Sequence, residues 1–362
     1  VRDKSDWGRK HAAYGQQPAG AVQRRGIGVA CYFHGSSLGG EGADYATSTL
    51  KIETDHRITL AAGLTDYGQG SQTVFTLMAA EQLGVSPERI IMLRPDTAQP
   101  VESGPTVASR STMVGGNAVR SAAIRLDHLL RTAAADRLKC TPQQIVRHGE
   151  LYVGPDEDGL SFEQAAHHAR AMGIVLSVSG HWRVPPFEWN FETGTGIPYF
   201  CYVFGAQVAE VETDLTTGQT RVLGIWAAHD GGKIIFPQGA YGQMFGGIAQ
   251  GIGYALLEDM RWDNGYPVHT NLDSYRIPSA LDLPPMEATF IETRFDEGPY
   301  GAKNLAEPTM IATAPAILNA LSQATGVRHR QLPLTPYRLV HGHDRLVPDA
   351  RDHCLAALGF GK

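Results

Sequence analysis

Four short segments carry residue types that could hold a polar ligand or move a proton. The first is Gly68-Gln69-Gly70, where two glycines flank an amide able to donate and accept. Read alone, it is more simply a turn with a solvated Gln. The second is Thr106-Val107-Ala108-Ser109-Arg110-Ser111-Thr112. Hydroxyls and N–H groups ahead of a helix can hold an anion at its positive end, and the same residue types also make an ordinary N-cap loop. The third, Gly246-Gly247-Ile248-Ala249-Gln250-Gly251-Ile252-Gly253, has the wrong spacing for a dinucleotide fingerprint and suits close helix packing. Gln243 just ahead of it is either a ligand contact or a turn amide. The fourth is Gly301-Ala302-Lys303-Asn304-Leu305-Ala306-Glu307-Pro308. A carboxylate held from water in an apolar loop suits proton acceptance, although a Glu in a helix first turn is the commoner case.

The elements that must position these segments follow from periodicity. Two β-rich runs, 47–54 and 57–64, split at Asp55-His56, predict a hairpin that feeds the Gly-Gln-Gly turn. A helix follows over 73–84, stopped by Gly84, and a strand over 90–97. The loop 103–112 precedes a long amphipathic helix over 116–139. Thr141…Gln144 and Ser161…Gln164 fit the capping box. A second hairpin, 206–213 and 219–229, turns at 214–218, and 229–258 passes from loop to a Gly-rich helix. The order hairpin, polar loop with Gly-Gln, helix thus occurs twice. That implies an internal duplication, with Gln69 and Gln243 at related positions. The run 314–326 predicts a helix started or kinked by Pro315 and ended by Gly326.

The chain has 362 residues, 43% hydrophobic and 19% charged, enough for a sizeable core in two lobes. A net charge of −6 without a basic block argues against a nucleic-acid partner. Cys31, Cys140, Cys201 and Cys354 form no CxxC pair, which argues against an iron–sulfur or zinc site built by this chain and suits a reducing compartment. No apolar run reaches the roughly 18 residues of a membrane span. Residues 1–24 read as a polar arm, loose unless Trp7 and Tyr14 pin it, and lack the apolar stretch of a Sec-type signal peptide. Residues 25–180 are expected to form a first lobe and 181–362 a second that holds the Glu307 loop.

Six stretches in order, spanning roughly 26 to 340, resemble one family: GLTDYGQGSQT, PTVASRSTMVGGNAV, FGAQVAEVETDLTTGQTRV, AHDGGKIIFPQGAYGQMFGGIAQGIGYALLE, GAKNLAEP, and APAILNAL…ATGVRHRQLPLTP. They are similar to the C-terminal half of the molybdenum-binding subunit of the xanthine dehydrogenase/aldehyde oxidase family. The resemblance implies an α+β fold, two lobes of mixed β-sheet with packed helices. It implies that Gly68, Gln69, Thr106, Ala108, Ser109, Arg110, Ser111 and Gln243 contact a molybdopterin, with or without a nucleotide extension, and that no residue here ligates its molybdenum. Glu307 matches the base near the metal. The family loop usually reads GVGEP; here it is Asn304-Leu305-Ala306-Glu307-Pro308, and losing two glycines restricts the backbone.

The family's first half, with its Gly-Gly-x-Phe-Gly loop, has no counterpart here. The chain resembles the second of two split molybdopterin polypeptides, as in nicotinate dehydrogenase. A partner subunit would supply the first half, with an iron–sulfur subunit and a flavin subunit carrying FAD. The implied reaction is hydroxylation of an N-heterocycle or an aldehyde with water as oxygen source, in the cytoplasm. The alternatives are a CO- or acyl-CoA-acting relative and a non-catalytic pterin-binding scaffold.

Overall fold

A computed structural model describes residues 1–18, 20–97 and 101–341. Cys354 and the last part of the expected second lobe lie outside the described residues. In chain order come α1 (Trp7–Tyr14), β1 (Gln23–Ser36), the hairpin β2 (Tyr45–Ile52) and β3 (Ile58–Ala62), α2 (Ser71–Leu83), β4 (Ile90–Met92) and α3 (Gly116–Leu138). Then follow β5 (Val146–His148), β6 (Leu151–Val153), β7 (Gly159–Ser161), α4 (Phe162–Ala171), β8 (Ser177–Arg183) and a ribbon of β9 (Trp189–Asn190) and β10 (Thr195–Gly196). The chain continues with β11 (Cys201–Asp214), β12 (Thr220–Asp230), α5 (Pro237–Leu256), a ribbon of β13 (Trp262–Asp263) and β14 (Tyr266–Pro267), β15 (Met286–Ile291), α6 (Pro308–Ile311) and α7 (Thr313–Thr325).

Local chemistry sets most boundaries. Gly84 ends α2 in the left-handed region at φ 63°, its N–H reaching Ala80 and Glu81 carbonyls. The predicted strand over 90–97 is shorter than expected. Leu93 still donates to the Leu60 carbonyl at 2.8 Å, but Pro95 has no N–H with which to extend the ladder. The second hairpin turns where expected: the Asp214 carboxylate accepts from the N–H groups of Thr216 and Thr217 at 2.8 and 2.9 Å, and Gly218 sits at φ 75°. Ser161 and Gln164 form a complete capping box for α4. Pro315 lies in the first turn of α7, where its missing N–H has no carbonyl to serve.

Two four-stranded mixed sheets carry the fold, in the orders β4-β3-β2-β8 and β1-β11-β12-β15. Each contains an antiparallel hairpin, a helix that crosses over to a parallel strand (α2 to β4, α5 to β15), and a further antiparallel strand on the hairpin's other side. A long helix packs across each, α3 on β2 and β8, and α7 on β1 and β11. Alternation along β2 puts Ala46, Ser48, Leu50 and Ile52 against the helices. The opposite face is polar: Thr47 and Thr49 bond across to His181 and Ser179 on β8. Burying a side chain such as Leu50 or Leu60 contributes about 1.5–3 kcal/mol.

Sheet membership departs from chain order at one place. Residues 23–36, read from sequence as the end of the arm and the start of the first lobe, pair along their whole length with β11 in the second sheet. The reason is a close helix–strand approach. A Cβ at Gly28 would lie 2.2 Å from the Ala316 carbonyl oxygen of α7, and one at Gly26 would lie 1.9 Å from that of Ala320. The arm is also docked rather than loose. Lys10 and Tyr14 of α1 both bond the Glu210 carboxylate on β11, and the Lys10 ammonium sits 4.5 Å from the centre of the Trp226 ring. Among the described residues no helix is long and apolar enough to cross a membrane.

Candidate functional site

The predicted segments converge on one cavity of about 390 Å³ between the two lobes. Its walls include Gln69, Thr106, Ser109 and Ser111 from the first lobe, and Gln243, Gln250 and Glu307 from the second. Gly68, Ala108 and Arg110, also expected at the ligand, do not line it.

The Gly-Gln-Gly turn works differently from its simplest reading. Gly68 and Gly70 stand at φ 119° and 85°, and nothing lies within 4 Å of where a Cβ would stand, so glycine is required by conformation rather than by space. Gln69 faces the cavity but spends its amide on the turn. Its nitrogen donates to the Thr65 carbonyl at 2.9 Å and the Ser71 hydroxyl at 3.1 Å, and its oxygen accepts from the Tyr67 N–H. Asp66 caps the start of α2 by accepting from the N–H groups of Gly68 and Gln72. Burial opposes its charge, but these backbone donors win and hold its carboxyl below the ordinary value. Tyr67, 71% exposed, ties this turn to the next segment by donating to the Thr106 carbonyl at 2.8 Å.

In the 103–112 loop, Ala108 and Ser109 are consecutive non-glycine residues at φ 54° and 52°. Each such residue costs on the order of 1–3 kcal/mol and persists where the surroundings over-determine it. Here Ser37 donates to the Ala108 carbonyl, and the Thr106 hydroxyl accepts from the Thr65 N–H. Arg110 holds the loop from beneath. Its guanidinium is 1% exposed, pairs with Asp44, and donates to the Ser103, Pro105 and Tyr45 carbonyls. All its directions are used within the protein, so it shapes the loop and does not present charge to a ligand. Ser111 opens a single π-turn, Ser111–Gly115, that leads into α3.

Glu307 immediately precedes Pro308 at the start of α6. Its Oε2 accepts from the Ser109 hydroxyl at 3.0 Å, and its backbone N–H donates back to that oxygen at 3.1 Å. His34 of β1 brings Nε2 to 3.9 Å from the same carboxylate oxygen. The expectation that this chain holds Glu307 away from water is not met, since its side chain is 52% exposed and opens on the cavity. The loop before it is anchored deeply: Lys303 pairs with Asp230 at 2.6 Å, both buried. Loss of two glycines does not distort it, because Asn304 and Ala306 take no left-handed conformation. Asn304 is fully buried with its amide unpartnered, and Leu305 and Ala306 line the cavity.

Across the cavity, α5 presents Gln243, Gly246 and Gln250. Gly247 and Gly251 do the packing expected of that segment: a Cβ there would meet the Thr309 and Thr313 side chains at 1.9 and 2.4 Å. Gln250 was missed, although it lies seven positions beyond Gln243 and helical periodicity puts both on one face. His34 had no signal in the sequence. Its place depends on β1 joining the second sheet.

Beside the cavity, His229 is completely buried between the Tyr32 hydroxyl, 2.7 Å from Nδ1, and the Asn304 carbonyl, 3.3 Å from Nε2. Burial lowers its pKa to about 4, so the ring is neutral at ordinary pH. Among the described residues no three His, Cys, Asp or Glu side chains come together in a metal-binding group, so a metal in this cavity would have to arrive on another ligand.

Known proteins share the chain's sequence and fold. The family model for the molybdopterin cofactor-binding domain matches residues 1–284. A putative xanthine dehydrogenase molybdenum-binding subunit from Escherichia coli is 34% identical over 327 residues, covering 87% of this chain and 42% of the relative. The aldehyde oxidoreductase of Megalodesulfovibrio gigas is 30% identical over 330 residues, 90% of this chain and 33% of the relative. The crystal structure of the aldehyde oxidoreductase from Desulfovibrio desulfuricans superposes with a TM-score of 0.78 at 29% identity, over 94% of this chain and 34% of that one. The chain therefore spans less than half the length of these relatives. It belongs to the molybdopterin cofactor-binding family, alongside the molybdenum-binding subunits of xanthine dehydrogenases and the aldehyde oxidoreductases.

Proposed function

We propose that this chain forms one half of the active site of a molybdenum hydroxylase, cradling the pterin and supplying Glu307 as the base. The observation that carries the reading is the Ser109–Glu307 pair at the cavity, which fixes a carboxylate facing the amides of Gln243 and Gln250. The cavity fits a pterin. No hydrogen bond among the described residues engages those two amides, so they are free for the donor–acceptor edge of a polar heterocycle. The Ser109, Ser111 and Thr112 hydroxyls and the turn leading into α3 suit a phosphate. Gln69 holds the facing turn, and Arg110 sets the loop's shape.

When bound, the molybdenum cofactor supplies the two-electron redox chemistry. The chain's own part is to position and to move a proton. The Ser109 hydroxyl donates to Oε2 and so orients Glu307, and the Glu307 carboxylate takes a proton as water-derived oxygen is delivered to the substrate. The substrate class we assign is an N-heterocycle or an aldehyde, matching what the relatives' names state. A second molybdopterin subunit would close the cavity, and iron–sulfur and flavin subunits would carry the electrons away. We place the complex in the cytoplasm, where Cys31, Cys140 and Cys201 would stay as the free thiols they are here.

The test is to co-purify the chain with the products of its neighbouring genes, measure molybdenum and pterin, and assay heterocycles and aldehydes. Glu307→Gln is expected to lower kcat by about 10²–10⁴ at unchanged molybdenum content. A complex without metal and pterin, or a variant within a few-fold of wild type, would overturn the reading.

A further inference from the structure

Glu307 can act as a base repeatedly only if something takes its proton away. This inference rests on the reading of Glu307 as a base. His34 enters from β1, where it lies opposite Val203 of β11. Its Nε2 is 3.9 Å from Glu307 Oε2, the same oxygen that Ser109 holds at 3.0 Å. That gap is too long for a direct hydrogen bond. A small rotation or a single bridging water closes it. The other ring nitrogen, Nδ1, is buried without a partner. The titratable groups facing His34 are Glu307 from the start of α6 and His229 from β12. Burial holds the imidazole below its ordinary pKa while the Glu307 carboxylate pulls it upward, so the resting ring is neutral and carries a lone pair for a proton.

His229 makes the contrast. Both its nitrogens are committed, to Tyr32 and to the Asn304 carbonyl, and neither bond is to Glu307. His34 has the carboxylate on one side and an uncommitted nitrogen on the other. We propose that His34 resets Glu307 between turnovers. The proton on Glu307 Oε2 passes to His34 Nε2, directly or through one water. The carboxyl O–H bond breaks, an N–H bond forms at Nε2 and the carboxylate is restored; when the cavity next opens to solvent, the imidazolium, 23% exposed, gives that proton from Nε2 to water. Glu307 is thus a carboxylate again before the cavity opens, and His34 is neutral again after it does.

The test uses the assembled complex with ¹³C-histidine in this chain. The His34 resonance, assigned by its loss in His34→Gln, should titrate at lower pH in Glu307→Gln than in wild type, because the carboxylate that favours the imidazolium is gone. His34→Gln should bind as much molybdenum as wild type, turn over at least about tenfold slower, and recover on addition of free imidazole. An unchanged His34 titration in Glu307→Gln, wild-type turnover in His34→Gln, or slow turnover that imidazole does not restore would each overturn the relay. If the complex holds no pterin, the proposed function fails. The titration then still decides whether His34 and Glu307 are coupled.

Discussion

Ser109 does two opposed things with one residue. Its hydroxyl fixes Glu307, and its backbone sits in a conformation that costs a non-glycine residue energy. The two effects separate by substitution. Ser109→Ala is expected to lose the hydroxyl and keep the strain. Ser109→Gly loses the hydroxyl and relieves the strain, and should melt higher than the alanine variant while sharing its reduced kcat. Thermal melting with steady-state kinetics checks both. Arg110 is the converse case, a charged residue in a ligand-like motif that works entirely inside the protein. Arg110→Met should destabilise by about 3–5 kcal/mol in denaturant titration, because Asp44 is left buried and unpaired. The double variant with Asp44→Asn should recover part of that loss. His229 gives a pH signature. Its folded pKa is near 4 against 6.5 unfolded, so between those values the unfolded chain binds more protons. Stability from this group is full above about pH 6.5 and falls as the pH drops toward 4, by about 3 kcal/mol in all. His229→Gln should flatten that part of the melting-temperature profile. An equal slope in both proteins would assign the acid sensitivity elsewhere.

At the scale of elements, the site depends on how closely strands and helices approach. Gly28 on β1 lies against Ala316 and Ala320 of α7, with 2.2 Å between its missing Cβ and their backbone atoms. Backbone cannot yield as a flexible side chain can. Gly28→Ala should therefore push β1 and α7 apart and lower stability by at least about 1–3 kcal/mol. Gly42, in extended backbone with nothing within 4 Å, serves as the control, and Gly42→Ala should melt like wild type. Because His34 is on β1 and Glu307 is just before α6, the Gly28 variant should also loosen their approach.

At the scale of the whole molecule, the two four-stranded sheets share one pattern, with one strand placed differently in chain order. Gly180 of β8 meets Ala118 and Ala122 of α3 at 2.2 Å, as Gly28 of β1 meets Ala316 and Ala320 of α7. In the first lobe that strand follows its helix; in the second it precedes the whole unit. The two helices are related by the same 198-residue separation that relates Ser109 to Glu307. The hydroxyl and the carboxylate are offset as the two helices are, and meet where the lobes join. Gln69 and Gln243 reach the same cavity but are not strict counterparts in setting, since Gln69 precedes its helix and Gln243 lies within α5.

The local units were legible in the order of residues. β-rich and alternating runs marked both hairpins, apolar spacing marked α2 and α3, a Gly-rich run marked α5 and the bounds Pro315 and Gly326 marked α7, while Gly84 and Gly218 showed where the chain had to turn, because these depend on neighbours a few residues apart. The motif order pointed to loops that meet at one cavity, Glu307 among their residues. The use of each side chain came instead from long-range packing. Arg110 turned inward, Gln69 spent its amide on its own turn, α1 found Glu210, and β1 joined a sheet whose other strands begin at residue 201. Those outcomes rest on partners far away in sequence, and with them came His34. Its chemistry is set by a carboxylate that only the packing of two lobes brings to its side.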